Sequence, residues 1–400
     1  MQILGHEGSS GLILVPVVTG QASSRAGIAR ITGLARSTVG IYVDRMLTQG
    51  WLVESTEVNR GSGRPSRRLK LGEKAGVVAV VELDPTSAHI AVLDLGSTIL
   101  ARKSVPMTPV ASVQDATGHI VSSVVEVLSS VGQDGGLRWL VLGVPSPVDA
   151  LRDVAESVSR SGYWWDGVKL NDEIALHTDV PVTMENDANL RAICESMNAP
   201  EAGPMIYVHL STGIGAGIIG ADGELYRGAD GVAGDIGHQR IGNRSVKLCA
   251  CGRRGCVGEK VTRRSVLSDV GLLDEKDQDS GMAALRLRLR QADSAALDRV
   301  REYASLAGEL IASAANFYNP RTVILGGDMA YLGDEVLSGV RAAIYEHSLP
   351  IISRGLSVKL STQRSDGGLI GGGQLAARKV LGTHHAWHPD PGNWLPSTAV

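Results

Sequence analysis

Four residues set the first chemical expectation. His238, Cys249, Cys251 and Cys256 are spaced H-x10-C-x-C-x4-C. Three thiolates and one imidazole make a soft, four-donor set that suits tetrahedral zinc. Protein groups fill all four positions, which leaves no vacancy for a catalytic water. The spacing therefore predicts one structural Zn2+ per chain, clamping a Gly/Arg-rich loop that has little apolar matter to fold around. Three of the four cysteines of the chain fall within eight residues. That clustering favours metal in a reducing compartment over a disulfide framework. The remaining Cys194 shares a helical pattern with Leu190 and Ile193 and reads as core.

A second kind of chemistry is written near the start of the chain. Residues 25–54 fit two helices joined at Gly33, with Ile28, Ala29 and Ile31 on the first and Val39, Val43, Met46 and Leu47 on the second. Ser37 or Thr38 is the expected start of that second helix. In a helix-turn-helix it lies in the major groove, which directs Arg36, Ser37 and Thr38 at DNA, with Tyr42 and Arg45 next in line. A strand from Trp51 and its return over Arg68–Leu71 bracket NRGSGRPSR, a basic turn that reads as a wing. Gly63-Arg64-Pro65 at its centre is flat and extended, and an arginine so placed enters a narrow A·T minor groove. Arg60, Arg64 and Arg67 are the wing's DNA candidates. Gly40 costs the recognition helix about 1 kcal/mol relative to alanine, and Pro16 predicts a late start for the helix before the pair.

The elements that must position these groups follow from composition and pattern. The chain has 400 residues, 43% hydrophobic and 20% charged, with 49 glycines and one phenylalanine. That predicts two or three domains with a Val/Leu/Ile/Ala core and many tight turns. Residues 1–72 carry nine Lys/Arg against four Asp/Glu, a net of +5 on a chain whose total is −3. A basic N-terminal piece on an acidic body is the charge pattern of a nucleic-acid-binding module. Mean hydropathy is +0.05, and no apolar run approaches the roughly 20 residues of a membrane span. The short run Leu12–Val18 lacks a preceding basic segment and fails as a secretory signal, so the expected location is cytoplasmic. From Gly76, VVAVVEL, AHIAVLDL and TILARKSV read as three strands; MIYVHLS, GAGIIGA and GELYRG repeat the arrangement from Met205 to Gly228, with Asp222-Gly223 as a hairpin turn. Two related α/β lobes with a cleft between them are implied. An amphipathic helix is expected over about 294–318, then a buried strand in TVILGGD. The tail from His384 lacks periodicity and reads as disordered.

Taken together, MENDAN at 184–189, STGIGAG at 211–217, GVAGDIGH at 231–238, CACGRRGC at 249–256 and NPRTVILGGD at 319–328 resemble the ROK family of repressors and sugar kinases. The resemblance implies an α/β, actin-like two-lobed ATPase-type body behind the N-terminal winged helix-turn-helix domain, a head the family's kinases lack. The expected division is 1–72 for the head, 73–195 for the first lobe, 196–383 for the second lobe with its zinc loop, and 384–400 for the tail. The C-terminal helix is expected to pack back on the first lobe. By resemblance Asn186, Asp187, Asp235 and His238 line a sugar pocket, and His238 binds metal through one ring nitrogen while presenting the other to the ligand. Asp187 stands where a family kinase has its general base.

The chain departs from the family in four places. Kinases cradle nucleotide phosphates with two glycine loops, because only glycine lets backbone N–H groups approach closely. The loop at 211–217 is kept. Where the family reads D-x-G-G-T this chain reads Asp84-Pro85-Thr86-Ser87-Ala88, which argues against an enzyme and makes Asp187 a vestigial base. Asp235 replaces the family's glutamate. Gly258 stands where the family has another, with Glu259 the nearest carboxylate. Pro145-Ser146-Pro147 replaces Pro-Gly-Pro. The reading is a DNA-binding regulator, a repressor of carbohydrate-use genes. Its partners are a double-stranded operator, a sugar or sugar-derivative effector in the interlobe cleft, and a second copy in a homodimer or dimer of dimers. The competing readings are an ATP-dependent sugar kinase with a DNA-binding head, and an effector-independent regulator whose sugar site has decayed.

Overall fold

The computed structural model describes residues 8–56, 67–84, 86–107, 112–133, 136–149, 154–155, 163–198, 203–240, 248–249, 251–274 and 277–382. The chain opens with helices α1 (Gly8–Val18), α2 (Arg25–Thr32) and α3 (Arg36–Gln49), then strands β1 (Leu52–Thr56) and β2 (Arg67–Leu71) paired antiparallel. This is the element order of a winged helix-turn-helix. Ser24 caps α2 by accepting from the Gly27 N–H at 3.1 Å, and Gly33, at φ 68°, ends it in the left-handed conformation. The small core of the head gathers Ile13, Leu14, Ile28, Val39, Val43, Met46, Leu52 and Leu69. Two local expectations are corrected. α1 runs through Pro16 instead of starting after it, because the proline sits two residues from the helix end and its missing donor removes a single rung. α3 begins at Arg36, before Ser37, with Ala35 in the cap position and no side-chain cap.

The body continues with β3 (Val77–Leu83), β4 (Ser87–Asp94), β5 (Ile99–Pro106), α4 (Val113–Ser130) and β6 (Leu137–Val144), the short strands β7 (Val148–Asp149) and β8 (Val154–Ala155), then α5 (Leu170–Ala175), β9 (Val182–Asn186) and α6 (Asp187–Asn198). After these come β10 (Met205–Leu210), β11 (Ile214–Ile219), α7 (Arg263–Asp269), α8 (Gln278–Arg290), α9 (Ser294–Tyr318), β12 (Thr322–Gly326), α10 (Asp334–His347), α11 (Pro350–Ser353), β13 (Ser357–Leu360) and α12 (Gly367–Leu381). Two compact units result. One comprises Met1–Gly143, Leu170–Met184 and Leu369–Val400, so it includes the head; the other comprises Val144–Lys169 and Glu185–Gly368.

The first unit is built on a sheet of order β5-β4-β3-β6-β9. β3, β4 and β5 are antiparallel, and β6 joins β3 in parallel. Every residue of β3 is buried, as a central strand covered on both faces requires. The head is tied to this sheet by Arg138 of β6. Its guanidinium lies 5.3 Å from the Trp51 ring centroid and donates to the Lys74 carbonyl at 2.6 Å.

The second unit is built on a sheet of order β11-β10-β12-β13, antiparallel for the first pair and parallel thereafter. The pattern that begins the first sheet, a hairpin followed by a parallel strand, recurs here. The third strand expected over GELYRG is not formed: only an isolated bridge joins Ile219 to Leu225. The Asp222-Gly223 turn is present, closed by Gly220 N–H to the Glu224 carbonyl at 2.7 Å, but the glycine-rich residues after it leave the sheet. Among the described residues no helix is long and apolar enough to cross a membrane. The tail at 384–400 lies outside the described residues.

Candidate ligand pocket and metal centre

The second unit holds a cavity of about 210 Å³. Its floor is the junction of β9 and α6, where a strand of period two passes directly into a helix. Asn186 makes that junction: its Oδ1 accepts from the N–H groups of Ala188 and Asn189 at 3.0 and 3.2 Å, capping α6. Its Nδ2 donates to the Ser146 carbonyl at 3.2 Å. Asp187, the first residue of α6, lines the cavity beside it. Behind both lies Glu185, whose side chain is 5% exposed and whose carboxylate accepts from Asn189 Nδ2 at 2.9 Å and from Arg227 Nε and Nη2 at 2.9 and 2.7 Å. A buried carboxylate satisfied on both oxygens fixes the corner that carries Asn186 and Asp187.

The opposite wall comes from β10, β11 and the loop between them. Thr212, Gly213 and Gly215 line it. Gly217, the last glycine of the same run, has a different role. A Cβ there would fall 2.5 Å from the Ala192 Cβ and 2.7 Å from the Ala188 carbonyl, so its small size lets α6 lie against β11. The 231–238 segment closes the cavity. At Gly231, φ is 77° and a Cβ would lie 1.9 Å from the Val148 carbonyl, a place only glycine can occupy.

Asp235 lines the cavity, and its Oδ1 lies 3.9 Å from His238 Nε2. Burial raises the Asp235 carboxyl, and the charge of His238 offsets part of the rise. The other ring nitrogen of His238, Nδ1, lies 3.4 Å from Cys249 Sγ. The single donor atoms of His238, Cys249, Cys251 and Cys256 all lie within 4.8 Å of one another. Backbone bridges Arg240–Cys256 and Leu248–Arg254 hold the segments that carry them. Unlike Asn186, Asp187 and Asp235, His238 is not among the residues lining the cavity: its Nδ1 lies toward the thiols and its Nε2 toward Asp235. His238 itself reaches the cavity through Asp235. Burial pushes the Cys249 thiol up to about 12, a desolvation cost that a bound divalent cation removes by taking the thiolate as ligand.

Three further cavity residues were not among the expected site residues, although Asn189 closes the MENDAN run. His209 lines the cavity from β10, with Nδ1 3.4 Å from the Tyr207 hydroxyl. Burial, then the charge of Arg191, lowers its pKa to about 3, so it presents a neutral ring. Asn189 is 2% exposed, and its Oδ1 has no partner among the described residues. Tyr163 stacks on the fully buried Trp165 at 4.7 Å between centroids. Its signal was available: Tyr163-Trp164-Trp165 is a dense run in a chain that is 4% aromatic. Ser146, the residue in place of the family's glycine, receives the Trp165 indole N–H at 3.4 Å. At Gly258 a Cβ would lie 2.9 Å from the Gly237 carbonyl, so the glutamate of the family has no room there without a backbone shift.

In the first unit the loop between β3 and β4 is closed upon itself. Asp84 Oδ1 accepts from the N–H groups of Thr86 and Ser87, both at 2.8 Å, and from the Thr86 hydroxyl at 3.1 Å. Asp84 Oδ2 accepts from the Ser87 hydroxyl and lies 3.1 Å from His89 Nε2, whose Nδ1 meets Ser104 Oγ at 2.8 Å. Burial raises this carboxyl, but the hydrogen bonds of His89, Ser87 and Thr86 outweigh it and hold it well below the usual range. The backbone N–H groups that would face a phosphate are taken by the loop's own side chain. Pro85 lies outside the described residues.

On the head, Arg36, Ser37 and Arg45 are exposed on α3, while Thr38 and Tyr42 are half-buried. Arg60 and Arg64 lie outside the described residues, as does the side chain of Arg67.

The ROK family profile matches residues 78–379. The chain belongs to the ROK family. A xylose repressor of Caldicellulosiruptor bescii is 23% identical over 375 residues, 90% of this chain and 93% of that protein. A glucokinase of Halalkalibacterium halodurans is 26% identical over 316 residues, 75% of this chain and 94% of the kinase. An alignment over 90% of the chain must extend into residues 1–72, whereas one over 75% need not. The crystal structure of a ROK family transcriptional regulator, a homologue of the E. coli Mlc protein, superposes with a TM-score of 0.76 at 19% identity, over 94% of this chain and 98% of that one. The actin-like ROK fold is shown by that likeness.

Proposed function

We propose that this chain is a DNA-binding repressor of sugar-use genes that has lost phosphoryl transfer. The observation that carries the reading is the β3–β4 loop. Catalysis of phosphoryl transfer depends on positioning and charge stabilisation of the phosphates, and the loop offers neither free N–H groups nor a free carboxylate. The repressor relatives, which align through the head, support the same conclusion.

In this reading the cavity is an effector site. Asp187 and Asn186 accept and donate to sugar hydroxyls, the unpartnered Asn189 Oδ1 accepts a third, and Tyr163 offers an aromatic face. Two carboxylates and a neutral imidazole can recognise hydroxyls without transferring any proton. The metal is structural zinc, one per chain, and it fixes the loop whose His238 orients Asp235. Two heads, joined through their bodies as a homodimer, read a pseudo-palindromic operator; Arg36, Ser37, Thr38, Tyr42 and Arg45 face the major groove and the wing arginines the minor groove. Ligand binding changes the spacing of the heads and releases DNA.

The test is an operator-release assay across a monosaccharide panel. A sugar that raises the thermal midpoint and frees DNA, with the response lost in Asp187→Asn, supports the reading. Phosphorylation of that sugar by ATP sinks it.

A further inference from the structure

α3 turns two unlike faces outward and inward. Val39, Val43 and Met46 fill the core of the head. One to two residues on, Ser37, Gly40, Ile41 and Asp44 form an i, i+3, i+4, i+7 stripe on the other side. Ile41 is 70% exposed. A single exposed aliphatic residue ordinarily needs no account, but its neighbour is also out of place. Gly40 sits in the middle of a 14-residue helix, where glycine weakens the helix relative to alanine. Its would-be Cβ meets no atom of the described residues within 4 Å. Nothing among the described residues requires glycine there, and the space it leaves is open to something approaching from outside. Asp44, the one acid of the stripe, is held by Arg25 at 2.7 Å, a guanidinium it shares with Glu54 at 2.8 Å.

We propose that Ile41 is a base-reading residue of this regulator, that it packs on the C5-methyl group of a thymine in the major groove, and that Gly40 lets the helix come close enough for it to do so. The inference rests on the DNA-binding reading above. The physical basis is selective. Base edges in the major groove present donors and acceptors, and the thymine methyl is their one apolar group. An isoleucine side chain can make no hydrogen bond, so of the four bases it gains contact from thymine alone. The polar neighbours, Ser37 before it and Arg45 after it, are left for hydrogen-bonded positions on either side.

The experiment uses the full-length protein and a duplex recovered from a randomised library by repeated selection. Each thymine in turn is replaced by deoxyuridine, which removes the methyl and nothing else. For the native protein one position per half-site should weaken binding about fourfold per methyl removed, the ratio expected for one buried carbon. Ile41→Ala should bind more weakly and show no loss at that position, with an unchanged thermal midpoint because the residue is exposed. Gly40→Ala should raise the thermal midpoint while lowering affinity, a split that a purely structural glycine would not give. A flat deoxyuridine scan, or the same loss in Ile41→Ala, overturns the assignment. If the native protein selects no duplex at all, it is the DNA-binding reading that fails, and Ile41 with it.

Discussion

The two sheets of the body begin alike and end their first hairpins differently. β3–β4 and β10–β11 are antiparallel pairs, each followed in the sheet by a parallel strand. In the first, the connecting residues fold inward on Asp84, and four hydrogen bonds to one carboxylate replace whatever external anion such a loop could hold. In the second, Gly213 has no atom of the described residues within 4 Å of its Cβ position, and the loop lines the cavity. On the proposed reading, a phosphate cradle is lost by satisfaction as well as by obstruction. Backbone donors that find an internal acceptor have no further demand for a ligand.

The comparison breaks outright if the closed loop still serves an enzyme. We expect no ATP turnover with any hexose, pentose or amino sugar, measured by coupled ADP release. Rates near ~1–100 s⁻¹ that disappear in Asp187→Asn would show the loop opening in solution.

The open loop depends on its scaffolding, and the next effect concerns the metal. Freshly purified protein should carry about one zinc per chain. Cys251→Ser should lose it and lower the thermal midpoint of the second unit while sparing the head, as elemental analysis and calorimetry would report. Retention of metal should fall with falling pH, since protons compete for thiolate and imidazole.

Glu185→Ala sharpens the comparison from the other side of the cavity. It leaves the half-buried Arg227 without its partner and Asn189 without its acceptor, and losing a hydrogen bond to a charged group costs about 1.5–3 kcal/mol. The unfolding midpoint of the second unit should drop accordingly, and effector binding should fall with it. An unchanged midpoint would mean the corner is held by α6 capping alone.

The smallest effect is a pH dependence in the first loop. The Asp84 carboxyl titrates below its ordinary value of 3.8 in the folded chain. A group with a depressed folded-state pKa contributes stability that is fully present above the unfolded value and is lost as pH falls through the folded one. Exchange protection of the Thr86 and Ser87 amides should therefore be level from neutral pH down to about 4 and decline below it. In Asp84→Asn it should be weak throughout. Protection that survives the substitution would assign loop closure to the backbone bond from the Met107 N–H to the Thr86 carbonyl, 2.8 Å, instead of to the carboxylate.

Much of this was legible in the residues. The Cys/His cluster could be read from spacing because a short loop keeps donors that are close in sequence close in space, and even His238, eleven residues before Cys249, returns through a bridge at Arg240. The strands, the long helix α9 and the head followed from periodicity and turn chemistry. Asn186 and Asp187 were visible through a contiguous motif, as was the missing glycine pair at 86 and 87. What could not be read was where each group's hydrogen bonds go. Asp84 is the same residue type in an open cradle and in a closed turn; only the folded loop shows that Thr86, Ser87 and, from the next strand, His89 occupy its carboxylate. His209 alternates along β10 like any strand residue, and its neutrality comes from burial and from Arg191 on a different element. The third strand expected at 223–228 is reduced to the bridge of Leu225 with Ile219 and the bond from the Tyr226 N–H to the Ile218 carbonyl, after which Gly228 and Gly231, both at positive φ, turn the chain away toward Val148. Local chemistry is encoded in types and spacings, whereas occupancy, exposure and pKa depend on which distant segments the fold brings beside a group, and that is decided only when the tertiary contacts form.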